Sequence, residues 1–374
     1  MKGQPQLSMP AQVGDGRIPL CLLTGFLGAG KTTLLNRLVR HGEMAGTVVL
    51  INEFGQVGID HHLVQTADES MLLLDSGCLC CSMRGDFVNA LQSLDERASQ
   101  GRIPPIRRII VETTGLADPV PVLYSLREDR HMAARFFCDS LLTVVDSCVG
   151  PNLLARHGEA VRQIVMADRL LISKGDMVDR GRREALDAWL NTLNPSAPRL
   201  SVNHGEISPD QLFSGGLQRV ETPGVALDGH RHGHGGVHEG SGVASFVVHF
   251  PQPVSWPGLV VVMGDILRDY GAALLRVKGI VNSAGFEAPV VIHCIRTTAH
   301  PPERLASWPT EGELADRRGR LVFIFQELDD AAIADIRARL VSLPDDDAAW
   351  RRWVADPRMS TRDWLEPRPE AGIA

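Results

Sequence analysis

Apolar residues in this chain gather into short, dense runs set apart by longer stretches with one apolar face. The runs are Ile18–Thr24, Thr47–Ile51, Met71–Leu74, Ile109–Val111, Leu141–Val145 and Leu170–Ile172. Each has the length of a strand and is too short for a buried helix. Helical patterns separate several of them. Leu34, Leu35 and Leu38 share one side of a helix over Lys31–Arg40, and Asp86–Arg97, Val120–Arg127 and Arg180–Leu193 show helical spacing too. Strands alternating with helices predict an α/β domain on a mostly parallel sheet, with ligands at the carboxyl ends of the strands.

The pattern stops at Asp228–Gly240 (DGHRHGHGGVHEG), which has nothing to bury and reads as a mobile linker. Beyond it, Ala244–Phe250, Leu274–Val281, Val290–Arg296 and Leu321–Phe325 read as strands, and Gly258–Tyr270 and Ala331–Leu343 as helices. They predict a smaller α+β domain, an antiparallel sheet with helices on one face. Asp345–Ala374 carries tryptophans with weak periodicity and reads as a surface-packed or partly disordered tail. Met1–Arg17, polar and rich in Gly and Pro, reads as a flexible tail before the first strand.

Composition narrows the setting. At 374 residues, with 44% hydrophobic and 22% charged, the chain has material for two cores. A net charge of −7 argues against a broad nucleic-acid footprint. No apolar run is long enough to span a bilayer, and Met1–Arg17 lacks the apolar core of a signal peptide. No nucleic-acid or membrane partner is expected, and a cytoplasmic location is.

The turn after the first strand carries chemistry. Gly25-Phe26-Leu27-Gly28-Ala29-Gly30-Lys31-Thr32 is a complete G-x-x-x-x-G-K-[ST] loop with a strand before it and a helix after it. Gly25, Gly28 and Gly30 let backbone N–H groups turn inward around phosphates, and Ala29 and Thr33 belong to the same cradle. Lys31 sets a charge on the β- and γ-phosphates, the Thr32 hydroxyl ligates Mg²⁺, and the helix presents its positive end to the anion. Ile109–Val111 runs into Glu112-Thr113-Thr114-Gly115, where an acid at a strand end anchors the Mg²⁺ shell and Gly115 offers an N–H to the γ-phosphate. Lys31, Thr32 and Glu112 are therefore the expected catalytic residues. Ser173-Lys174-Gly175-Asp176 stands where guanine-specific proteins carry Asn-Lys-x-Asp. Asp176 accepts from the guanine N1–H and amine, donors that adenine lacks. The shorter Ser173 leaves open its reach to the base and its tether to the phosphate loop, while Asp176 and Lys174 keep GTP the favoured nucleotide.

A second motif is Gly77-Cys78-Leu79-Cys80-Cys81, directly after a strand and so on the same sheet edge. Seven cysteines is an odd count, and adjacent Cys80 and Cys81 suit thiolate ligation better than a disulfide framework. Three thiolates bind Zn²⁺, Co²⁺ or Cu⁺, and the missing fourth ligand suits a transfer site. Isolated Cys21, Cys138, Cys148 and Cys294 read as core residues of apolar strands. Asn52–Asp60 occupies the place of a nucleotide-sensing switch. Its Glu53 either completes the thiolate site or, with Asp60, senses Mg²⁺. His230, His232, His234 and His238 in the glycine-rich linker are candidates for weak metal capture.

Taken together, Gly25–Thr32, Asn52–Asp60, Gly77–Cys81, Glu112–Pro119 (ETTGLADP) and Ser173–Asp176 resemble the CobW-type P-loop GTPases, relatives of the urease and hydrogenase nickel chaperones. Leu274–Val281, Trp308 and Arg320–Phe325 are similar to that family's C-terminal domain, so the likeness runs from Ile18 to Glu327. Ser173 departs from the family pattern. The resemblance implies a slow GTPase, a hydrolase that delivers a metal, commonly Zn²⁺ and sometimes Co²⁺, to a client metalloprotein, and it implies a place for His204 in metal binding. It leaves room for a homo-oligomer. The expected organisation is a tail over residues 1–17, a P-loop GTPase domain over 18–225, a His/Gly linker over 226–242, an α+β domain over 243–343 and a tail over 344–374. Two rival readings stand beside this one. One is a zinc storage protein, in which Lys31 is dispensable. The other is a P-loop kinase using ATP, which Asp176 speaks against.

Overall fold

The computed structural model describes residues 11–12, 16–51, 72–75, 83–213, 242–300, 302–305, 307–308, 310 and 313–355. They divide into two units, Gly14–Ala244 and, discontinuously, Met1–Val13 with Ser245–Ala374. A short first strand, β1 (Ala11–Gln12), belongs to the second of these.

The first unit is built on β2 (Ile18–Gly25), β3 (Thr47–Ile51), β4 (Leu72–Asp75), β5 (Arg108–Glu112), β6 (Phe136–Asp146), β7 (Arg169–Ser173) and β8 (Arg199–Val202). Their order is β4-β3-β5-β2-β6-β7-β8, and every neighbouring pair is parallel. A parallel sheet covered on both faces needs unbroken apolar strands rather than alternating ones. β2 meets that demand, since Leu20, Cys21, Leu22 and Leu23 are all buried whichever way they point. The intervening helices are α1 (Lys31–Leu38), α2 (Met83–Ser99), α3 (Val120–Glu128), α4 (Arg130–Arg135), α5 (Pro151–Leu154), α6 (Gly158–Met166) and α7 (Arg180–Leu193), and α8 (Pro209–Phe213) follows the last strand. Leu186, Trp189, Leu190 and Leu193 form the buried stripe of α7. Asp129 starts α4 by accepting from the N–H groups of His131 and Met132 at 2.8 and 3.0 Å. Fully buried Asn194 fastens the end of α6, its amide donating to the carbonyls of Ile164, Val165 and Ala167 at 2.9, 3.1 and 2.9 Å.

β2 lies between β5 and β6: the chain leaves it for β3 on one side, and the crossover from β5 passes it to reach β6 on the other. That reversal opens a crevice at the carboxyl ends of these strands, the place where such sheets take ligands.

The second unit holds β1, β9 (Val243–Phe250), β10 (Leu274–Val281), β11 (Val290–Ile295), β12 (Thr298–Ala299), β13 (Glu303–Arg304) and β14 (Gly319–Gln326) in the order β1-β13-β11-β10-β14-β9, with β12 on β11. β10 is antiparallel to both β11 and β14. α9 (Trp256–Tyr270), α10 (Asp330–Val341) and α11 (Asp347–Ala355) accompany it. Two segments expected to be tails contribute structure. Ala11–Gln12 pairs in parallel with Glu303–Arg304. Asp347–Ala355 is a helix tied to α9: Ser255 Oγ caps α9 at Gly258 N (3.4 Å) and donates to Asp347 Oδ1 (2.8 Å), while Trp350 is buried over Gly258. Among the described residues no helix is long and apolar enough to cross a membrane.

Candidate nucleotide site

The phosphate loop joins β2 to α1. Gly25 has φ 144°, and a Cβ there would come within 2.3 Å of the Val144 carbonyl oxygen, so the loop leaves β2 by a path open only to glycine. Gly30, at φ 98°, is the N-cap of α1 and has no side chain to satisfy the helix N–H groups, which leaves them to an anion. Lys31 is buried and folds back over the loop, donating to Gly25 O at 2.8 Å and Phe26 O at 3.4 Å. Burial lowers its pKa below the usual lysine value, and the nearby Glu112 opposes that shift.

Strand register brings the acid to the loop. Leu23 pairs with Glu112 across β2 and β5, and Thr32 Oγ1 donates to Glu112 Oε1 at 2.8 Å. The hydroxyl and the carboxylate thus already reach one point, which fits a pair expected to hold Mg²⁺. Thr113 locks the same corner, its N–H donating to Leu23 O at 3.0 Å and its hydroxyl to Thr24 Oγ1 at 2.9 Å. Gly115 presses on the phosphate loop, since a Cβ there would meet Leu27 N at 2.7 Å.

On the other side of β2 the structure corrects one doubt. Ser173, at the end of β7, does tether the phosphate loop: its hydroxyl donates to Ala29 O at 2.7 Å, with Val145 O at 3.2 Å. Lys174, at φ 54°, adds a second tie, donating to Gly28 O at 2.9 Å and to Asp146 Oδ2 at 2.6 Å. Asp146 and Thr113 were not foreseen. Asp146 ends an apolar run, the same signal that singled out Glu112.

Beside these ties lies a cavity of about 220 Å³ lined in part by Ala29, Gly30, Thr33, Lys174, Asp176 and His204. His204 (φ 51°) and Gly205 (φ 79°) form a tight turn closed by Glu206 N donating to Asn203 O at 2.8 Å. Gly205 seats that turn on α1, where a Cβ would come within 2.8 Å of Thr33 O. His204 Nε2 is 3.7 Å from Asp176 Oδ2. Loop, acid, cavity and turn all stand at the carboxyl edge of one sheet.

Of the residues expected to take Zn²⁺, His204 is described. Glu53, Cys78, Cys80, Cys81, His230, His232, His234 and His238, and the switch Asn52–Asp60, lie outside the described residues. The strands that lead to two of these segments are described: Ile51 pairs with Glu112 on one side and with Asp75 on the other. Of the isolated cysteines, Cys21 and Cys294 are buried, and burial pushes the Cys21 thiol up to about 12. Cys138 is half-buried, and Cys148 is exposed past the end of β6 rather than in a core.

A phosphate loop in this setting makes the first unit a P-loop nucleotide-binding domain. The chain belongs to the CobW family: residues 19–201 match the CobW/HypB/UreG nucleotide-binding domain, and residues 243–340 match the cobalamin synthesis protein cobW C-terminal domain. It is 31% identical over 264 residues to the zinc chaperone YjiA of Escherichia coli, covering 71% of this chain and 81% of that protein. It is 29% identical over 361 residues to the zinc chaperone CobW of Pseudomonas aeruginosa, covering 85% and 90%. Among solved structures, the Zn(II)-bound YjiA GTPase of E. coli superposes with a TM-score of 0.63 at 25% identity, over 88% of this chain and 99% of that one.

Proposed function

We propose that this protein is a GTPase that holds Zn²⁺ on Cys78, Cys80 and Cys81 and passes it to a client metalloprotein as its nucleotide changes state. The relatives named as zinc chaperones, and the Zn(II)-bound GTPase of like fold, support both the nucleotide and the metal. Co²⁺ is the alternative cargo. Gly25–Thr33 and Gly115 take the phosphates, with Lys31 as their buried counter-charge. Thr32 and Glu112 would hold Mg²⁺, which when bound neutralises charge on the phosphate oxygens. Asp176 reads the guanine edge, and the place of His204 beside it supports a part in nucleotide binding.

One observation carries the coupling. Ile51 shares its register with both Glu112 and Asp75, so the segments beginning at residues 52 and 76 leave the sheet level with the acid that touches Thr32. Asp75 is two strands from Glu112, about 10 Å at normal strand spacing. A switch at Asn52–Asp60 starting between them would feel the γ-phosphate and move the cysteines. The test is Zn²⁺ affinity measured with a non-hydrolysable GTP analogue and with GDP. Tighter binding with the analogue is expected, and equal affinities would sink the coupling. Replacing Cys80 and Cys81 with Ala should remove the tight site, and its survival would refute the ligand assignment.

A further inference from the structure

Gln163 is a fully buried amide at the edge of the nucleotide site, with no part in the chemistry above. It projects from α6, and its Nε2 donates to Gly115 O at 3.1 Å and to Ala117 O at 3.0 Å. The helix that carries it is fixed to the sheet at the same residue, where Thr143 Oγ1 donates to Gln163 O at 2.8 Å. The preceding residue grips the same loop, Arg162 Nε lying 3.4 Å from Asp118 Oδ2. Residues 113–118 are therefore held from three sides. β2 takes the N–H of Thr113, the phosphate loop abuts Gly115 through Leu27, and α6 holds the carbonyls of Gly115 and Ala117. A planar peptide with its carbonyl bonded to α6 must point its N–H the other way. Gln163 thus sets the orientation of the Gly115–Leu116 and Ala117–Asp118 peptides.

We propose that Gln163 is a positioning residue for γ-phosphate recognition, locking residues 113–118 into a wall that keeps one conformation in the triphosphate and diphosphate states. The proposal rests on the reading of this loop as the γ-phosphate side of a GTP site. A loop bonded to a rigid helix through two buried carbonyls cannot follow the γ-phosphate without breaking both bonds. Discrimination between the two nucleotides then comes from preorganisation, and the change of state must be expressed in another element.

Gln163→Met keeps the length and loses the donors, and Gln163→Leu shortens the side chain as well. In the full-length chain, both variants are expected to lower the ratio of GTP-analogue to GDP affinity about tenfold, the worth of the lost bonds. GDP affinity should stay within about twofold, as for a site not touching the diphosphate. Loss of both nucleotides in equal measure, or an unchanged ratio, overturns the proposal. A merely structural role would lower stability without moving that ratio. Should either variant fail to fold, amide exchange of residues 113–118 in the wild-type chain decides. Equal protection with GDP and with the analogue is expected at every amide but that of Gly115, which the γ-phosphate itself covers, and a gain of protection elsewhere in 113–118 on adding the γ-phosphate overturns the fixed wall. A wild-type chain that prefers ATP over GTP would overturn the guanine reading separately, and the same exchange comparison run with an ATP analogue would still judge the wall.

Discussion

Ser173 shows how far one side chain can stray from a motif and keep its work. The register of β6 with β7 sets Ser173 beside Asp146, close enough to the phosphate loop for a hydroxyl to span the gap to Ala29 O at 2.7 Å. Side-chain length, which raised the doubt, was the wrong variable, because backbone placement decides reach and cannot be read from four letters. A buried neutral hydrogen bond is worth about 1 kcal/mol, so Ser173→Ala should weaken GTP and GDP alike by roughly fivefold in a labelled-nucleotide titration. Unchanged affinities would mean that the tether is idle. Lys31 makes the opposite case, a residue whose duty costs stability. Its pKa is lowered in the folded chain, so at neutral pH the charge is carried at a cost relative to the unfolded state, and that cost fades as pH rises through the depressed value. Lys31→Met should therefore abolish nucleotide binding yet raise the Tm of the nucleotide-free protein by roughly 2–4 °C, a gain that shrinks in alkaline buffer. A lower Tm at pH 7 would show that the bonds to Gly25 O and Phe26 O outweigh the burial.

Among the elements, legibility followed length and purity. Thr47–Ile51 and Leu274–Val281 form as their apolar runs predict, residue for residue. β8 went unseen because Arg199-Leu-Ser-Val mixes polar and apolar positions at the far edge of the sheet, where only one neighbour demands burial. α6 was hidden because Glu159, Arg162 and Gln163 interrupt its apolar positions, although Ala160, Val161, Ile164 and Val165 make a dense buried face within it. With it went Gln163, whose role no motif announces. β1, at two residues, carries no periodicity at all. α11 keeps to the surface-packed alternative, held on α9 by the Ser255–Asp347 bond and by one large side chain on one glycine. A Cβ at Gly258 would meet the Trp350 ring at 2.9 Å, so the two residues are fitted to each other. Trp350→Ala leaves a cavity against α9, and about 3 kcal/mol of lost stability is expected for a tryptophan this buried. Thermal or denaturant unfolding of the full chain checks it. A loss below about 1 kcal/mol would return the segment to the status of a loose tail.

For the molecule as a whole, the question is whether the proposed nucleotide and metal sites know of each other. The phosphate loop leaves β2 and Glu112 ends β5, the cysteine motif follows β4, and β3, which leads into Asn52–Asp60, lies between. No side chain assigned to the nucleotide is also assigned a thiolate role, so any influence must pass through the intervening segment. That arrangement makes a quantitative demand. If GTP tightens Zn²⁺ binding by some factor, linkage requires Zn²⁺ to tighten GTP binding by the same factor, whichever is added first. Couplings of about 1–3 kcal/mol are usual, so the affinity for a GTP analogue should rise between roughly fivefold and 150-fold when Zn²⁺ is supplied, while GDP affinity stays put. Cys80→Ser combined with Cys81→Ser should erase the factor and leave metal-free nucleotide affinity within about twofold of the parent chain. Lys31→Ala should do the converse, binding Zn²⁺ with one affinity under every nucleotide condition. A protein that merely stores metal predicts a factor of one in every arm. Unequal factors in the two directions would mean that a second metal site, such as the histidines of the linker, is being counted with the first.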